Sequence, residues 1–186
     1  YFSEMAAAAN FAFNNRQQIL HAVRKGFYEV CGINPEDIRL IYDVCHNIAK
    51  FETHEVDGVM RKLCVHRKGA TRAFGKNAPE LAPMFKATGQ PVLVPGDMGR
   101  ESHLMVGLGN PKTWCSACHG AGRARSRIQS MKYWKEQDPV KYMESQGVQV
   151  KANSYRTLFE EMPDAYKDVY EVVAAVEEAG LANKVA

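Results

Sequence analysis

The chain has 186 residues, 46% of them apolar and 24% charged, with a formal net charge of +3. That composition allows one domain with a sizeable core and excludes a disordered or low-complexity chain. No apolar run approaches the roughly 18 residues of a membrane span and no signal segment opens the chain, so a cytoplasmic protein with no membrane attachment is expected.

Apolar residues at helical spacing occupy residues 5–30, and Gly32 followed by Asn34-Pro35 ends the pattern. Four short runs rich in β-formers follow at residues 38–44, 62–66, 91–94 and 104–106 and read as strands between glycine-containing turns. From Arg123 the pattern is helical through Trp134, and Asp138-Pro139 opens another helix with an N-cap and a proline in its first turn. Residues 148–150 read as a strand; two helices over 155–162 and 168–179 follow, the second stopped by Gly180, and an extended segment starts near Asn183. Helix, strands, then helices predict an α+β fold with a mixed sheet and flanking helices. A Rossmann or P-loop unit is excluded, because Gly107-x-Gly109 and Gly120-x-Gly122 lack the third glycine and the strand-turn-helix setting.

The five cysteines are odd in number and scattered, which points to thiols rather than a disulfide framework. Two basic clusters, one from Arg61 to Lys76 and one from Arg123 to Lys135, flank the densest polar chemistry. His21 and His54 read as packed or solvated side chains. His46 follows the apolar run 41–44, where a neutral imidazole can bind a divalent ion with Asp43 or Asn47 orienting it, but no paired ligand motif completes a site. His66-Arg67-Lys68-Gly69-Ala70-Thr71-Arg72 ends a strand in three cations around a glycine and reads either as a phosphate-holding loop or as a solvated basic one. The glycines of Pro95-Gly96-Asp97-Met98-Gly99 serve turn geometry or a close backbone approach to a ligand.

Cys115-Ser116-Ala117-Cys118-His119 matches the C-x-x-C-H pattern of covalent haem attachment. An exported cytochrome would rarely be so strand-rich, and it has no need of Gly120-Ala121-Gly122-Arg123 after its histidine. A zinc knuckle requires a second ligand pair, and Cys45 and Cys64 do not form one. Read from the other side, the glycines clear space beside the imidazole, and a helix starting near Arg123 would aim its N–H groups at an anion held there. Arg123 and Arg127 would then share a helical face. The synthesis is a nucleophilic His119 beside a phosphate cradle.

The segments Tyr42-Asp43-Val44-Cys45-His46-Asn47-Ile48-Ala49-Lys50, His66-Arg67-Lys68-Gly69-Ala70-Thr71-Arg72-Ala73-Phe74, Gly89-Gln90-Pro91-Val92-Leu93-Val94-Pro95-Gly96-Asp97-Met98-Gly99, Cys118-His119-Gly120-Ala121-Gly122-Arg123 and Ala165-Tyr166-Lys167-Asp168-Val169 resemble, in order, the C-terminal half of the RtcB family of tRNA-splicing RNA ligases. The resemblance implies that residues 1–186 are the C-terminal part of a single catalytic domain, without its N-terminal part and last strand. It implies an enzyme dependent on GTP and Mn2+ that joins RNA 3′-phosphate or 2′,3′-cyclic phosphate ends to 5′-hydroxyl ends through a histidine-GMP intermediate. On this resemblance His119 is the nucleophile and His46 a manganese ligand. Pro95, Gly96, Asp97, Met98, Ser102, His119, Gly120, Ala121, Gly122 and Tyr166 contact GTP or GMP, and Lys68, Arg123 and Arg127 hold RNA phosphates. The implied partners are RNA, as tRNA halves or broken RNA, an activating protein such as archease, and a further segment supplying the remaining metal ligands, so these residues alone are expected to be inactive. The competing class is a non-catalytic RNA-binding domain derived from the ligase fold.

Overall fold

A computed structural model describes residues 1–186, which divide into two compact units, Tyr1–Lys68 and Gly69–Ala186. The first unit opens with helix α1 (Phe2–Cys31), which has the predicted extent within three residues at each end. It stops at Gly32, whose φ of 68° is left-handed and whose N–H bonds back to Tyr28 O at 3.0 Å, while Ile33 N reaches Phe27 O at 3.4 Å. Paired turn-closing bonds of this kind satisfy the last carbonyls of a helix. No residue of α1 is buried, and Ile19, Val23, Phe27 and Val30 form an exposed apolar stripe at spacings of three and four.

Strands β1 (Asn47–Val56) and β2 (Val59–Lys68) pair antiparallel from Asn47↔Lys68 to Val56↔Val59. Asp57 and Gly58 connect them with φ of 52° and 76°, the twist-compatible geometry of a two-residue hairpin. Residues 38–44 are not a strand, contrary to the sequence expectation. Their polar groups are tied to α1 by side chains instead: Arg24 donates to the Ile38 carbonyl at 2.6 Å, and Arg16 donates to Asp43 at 2.6 Å. The strand lies further on, so His46 precedes β1 instead of following a strand.

In the second unit, β3 (Ala70–Arg72) pairs with β6 (Ser116–Cys118), and β4 (Pro91–Val94), β5 (His103–Gly107) and β7 (Ala182–Lys184) form an antiparallel sheet in the order β4-β5-β7. The extended segment expected near Asn183 is β7. All three sheets are antiparallel, and none mixes strand directions. Alternate residues Val92, Val94 and Met105 point from this sheet into a core that α5 (Val169–Glu178) completes with Val169, Val173 and Val176. Glycine is required at 107, because a Cβ there would overlap the Ala73 backbone.

A second core gathers Trp134, Met143, Leu158 and Met162 from α2 (Arg127–Trp134), α3 (Pro139–Ser145), α4 (Tyr155–Glu160) and the turn that follows. Ser126 starts α2 with a full capping box to Gln129, so the helix begins at Arg127, four residues later than predicted. Asp138 caps α3 as expected, accepting from Val140 N and Lys141 N at 3.1 Å. Residues 148–150 pair with no strand; Val148 and Val150 pack on the Trp134–Met143 core instead.

Candidate functional site

Three segments of the second unit converge on an open cavity of about 550 Å³, a volume within the usual range for a small-molecule site. The first is the turn between β4 and β5, which contributes Pro95, Gly96, Asp97, Met98 and Ser102. Asp97 and Arg100 form an isolated bridge that pinches this turn, and a Cβ on Gly96 would land on the Glu101 carbonyl, so only glycine fits. Asp97 reaches the cavity through its main chain. Its carboxylate is fully buried, accepting from Gly99 N at 2.9 Å and Arg100 Nε at 2.7 Å.

The second segment is His119, Gly120, Ala121 and Gly122, which leaves the end of β6. Pairing of β6 with β3 sets its position: His119 N lies 3.4 Å from Gly69 O, and Ala121 N donates to Pro95 O at 3.2 Å. Gly120 lies close to Pro95, where a Cβ would come within 3.6 Å of the Pro95 carbonyl, and Gly122 has a left-handed φ of 73°. This stretch therefore presents backbone to the cavity, as close approach to a phosphate or sugar requires.

The third segment supplies Arg123, Glu161 and Tyr166. Arg123 and Tyr166 bridge antiparallel, Lys167 N donates to Gly122 O at 3.0 Å, and Ala124 N donates to Ala165 O at 2.8 Å. The Arg123 guanidinium is 4.9 Å from the Tyr166 ring centroid and donates to the Tyr166 hydroxyl at 3.1 Å and to the Glu160 carbonyl. Tyr166 in turn donates to Glu161. Burial and the Glu161 carboxylate together push the phenol above its ordinary range.

All ten residues expected at a nucleotide thus lie on one cavity, and Glu161 joins them. No motif in the sequence marks Glu161, which sits in an acidic stretch five residues before Tyr166. The helix-face expectation for the arginines does not hold. Arg123 is in the bridge before α2 and committed to internal partners, whereas Arg127 begins α2, with two thirds of its side chain exposed and 3.4 Å from Glu160.

His46 and Lys68 belong to the first unit, and both are exposed, His46 immediately before β1 and Lys68 at the end of β2. Of the three cations expected around Gly69, Arg67 is withdrawn from solvent. It forms a two-pronged pair with Glu52 at 2.7 and 2.9 Å, and His54 lies 3.0 Å from the same carboxylate. No three His, Cys, Asp or Glu side chains gather to hold a metal ion, so the residues present do not make up a manganese site.

Residues 1–186 match the family model for tRNA-splicing ligase RtcB along their whole length. The chain belongs to the RtcB family. It is 50% identical to the tRNA-splicing ligase RtcB of Methanopyrus kandleri, 48% to that of Thermococcus kodakarensis and 46% to that of Archaeoglobus fulgidus, in each case over 100% of its length. It spans 20%, 39% and 39% of those relatives, respectively. As an RtcB-family segment it joins antiparallel sheets to five α-helices in an α+β arrangement. The C-x-x-C-H run, in this family setting, is a strand end: Cys115 is left-handed at φ 49°, Cys118 pairs with Ala70 in β6, and neither is in a disulfide. Burial pushes the Cys118 thiol above its ordinary range.

Proposed function

We propose that this chain carries the nucleotide-transfer centre of a cytoplasmic RNA ligase that joins 3′-phosphate or 2′,3′-cyclic phosphate ends to 5′-hydroxyl ends. The observation that carries the reading is the placement of His119 on a cavity whose neighbouring wall, Gly120 to Gly122, offers backbone at close approach. GTP is a substrate here. An imidazole nitrogen of His119 forms a P–N bond to the α-phosphorus while the bond to the β-phosphate oxygen breaks and pyrophosphate departs. A 2′,3′-cyclic end takes up water at phosphorus, breaking the P–O2′ bond to give the 3′-phosphate; GMP then passes from His119 to the RNA 3′-phosphate, and the 5′-hydroxyl attacks that activated end and releases GMP.

The residues divide the work by position. The turn from Pro95 to Ser102 and the Tyr166 ring flank the base, and the backbone of Gly120 to Gly122 approaches the nucleotide phosphate and sugar. In this reading Lys68 and Arg127, each exposed and cationic, hold RNA phosphates, with archease and a segment bearing the remaining manganese ligands as the implied partners. No helix is long and apolar enough to cross a membrane.

The test is to incubate the protein, as its gene encodes it, with α-labelled GTP and manganese and to map any acid-labile label. Label on His119, lost in His119→Ala together with ligation, is expected. RNA binding with a steep salt dependence but no covalent GMP would favour the non-catalytic RNA-binding reading instead.

A further inference from the structure

Arg100 lies in the turn that forms one wall of the cavity, yet it does not line the cavity itself. Each of its guanidinium nitrogens is used, and each goes to a different place. Nε donates to the buried Asp97 carboxylate at 2.7 Å, on its own wall. One terminal nitrogen donates to the Pro163 carbonyl at 3.0 Å, and the other lies 3.2 Å from the Asp168 carboxylate. Pro163 opens the turn that leads into Tyr166, and Asp168 caps α5 directly beyond it, accepting from Tyr170 N at 2.8 Å. The two walls also meet sterically, since a Cβ on Gly99 would come within 3.1 Å of the Pro163 ring.

The geometry points to Arg100 as a positioning residue for the nucleotide: its planar fork clasps the Pro95–Ser102 wall to the Tyr166 wall and so sets the width of the slot. This rests on reading the cavity as a nucleotide site. A fork with three separately aimed nitrogens suits the task, because a lysine carries the same charge but only one donor centre. Asp97 belongs to the clasp as its inner anchor; with its carboxylate buried against Arg100, it orients the turn and leaves base contacts to main-chain atoms.

Three variants of the full protein test this: Arg100→Lys, Arg100→Ala and Asp168→Asn, the last keeping an equally good helix cap while removing the charge that faces Arg100. The clasp predicts that Arg100→Lys and Arg100→Ala raise the GTP KM for His119 labelling roughly tenfold or more, with kcat changed far less, because misplaced walls cost nucleotide binding. Asp168→Asn should raise that KM in part, at an unchanged melting temperature, and the KM for RNA should stay constant in all three. A parent protein that labels with GTP while Arg100→Lys and Asp168→Asn keep its GTP KM overturns the clasp alone. So does a loss of melting temperature without a KM change. A parent that neither binds nor labels with GTP overturns the nucleotide reading, and the clasp with it.

Discussion

Gly69 and His119 face each other across the β3–β6 pair: a Cβ on Gly69 would lie 3.7 Å from Nε2 of the His119 ring, and the Gly69 carbonyl lies 3.4 Å from the His119 amide nitrogen. The space is adequate for a methyl group, but the backbone is not, since Gly69 has a φ of 71°. Gly69→Ala should therefore destabilise the protein by about 1–2 kcal/mol through backbone strain and not through crowding. GMP transfer to His119 should fall with it, while Gly69→Asn, whose side chain tolerates left-handed backbone, should be milder in both. Thermal melting and His119 labelling, measured on both variants, check the order.

Glu52 and Arg67 give an acid-dependent stability. Burial works against the Glu52 carboxylate, but the hydrogen bonds from Arg67 and His54 outweigh it and hold the group below its ordinary value of 4.5. A depressed carboxyl stabilises the fold in full above its unfolded-state pKa, and that contribution disappears as pH falls through the lowered folded-state value. Resistance to urea should thus weaken below pH 4.5, and Glu52→Gln should flatten that part of the profile. Arg67→Ala, which strands a buried carboxylate, should cost roughly 3–5 kcal/mol at neutral pH.

Arg123 and Arg127 should part company when RNA binding is titrated with salt. Each phosphate contact removed lowers the slope of log K against log salt by about 0.9 for a duplex and less for single strands. Arg127→Ala should show such a reduction with little change in melting temperature, since its side chain is largely exposed. Arg123→Ala should leave the slope nearly unchanged and instead lower both stability and GTP affinity, because it removes the partner of Tyr166, Glu161 and the Glu160 carbonyl.

Cys118 should be slow to alkylate. Its thiol is pushed up by burial, so little thiolate is present near pH 8. Iodoacetamide mapped by mass spectrometry should mark the exposed Cys31 well before Cys118.

The sequence made the long first helix legible because Gly32 and the 3.6-residue pattern agree, and it made β4, β5, α3 and α5 legible for the same reason of local consistency. Strand β1 escaped because its buried face carries Glu52 and His54, whose burial depends on Arg67 fifteen residues from Glu52, and polar residues hide a period of two. The apolar run 38–44 misled for the converse reason, since side chains of α1 satisfy it without a ladder. At the cavity, the motif glycines and His119 announced themselves, whereas the start of α2 depended on the Ser126–Gln129 capping box, and Arg100 and Glu161 matter through partners that are remote in sequence.

Met98 lines the cavity and also packs against the core of Trp134, Met143, Leu158 and Met162. Met98 is therefore shared between the lining of the slot and the outer skin of a thioether-rich interior. Such interiors yield to reshaping more readily than branched aliphatic ones, and they are vulnerable to sulfoxide formation. If the slot holds a nucleotide as proposed, oxidation of Met98 would alter its lining while leaving His119 chemically intact.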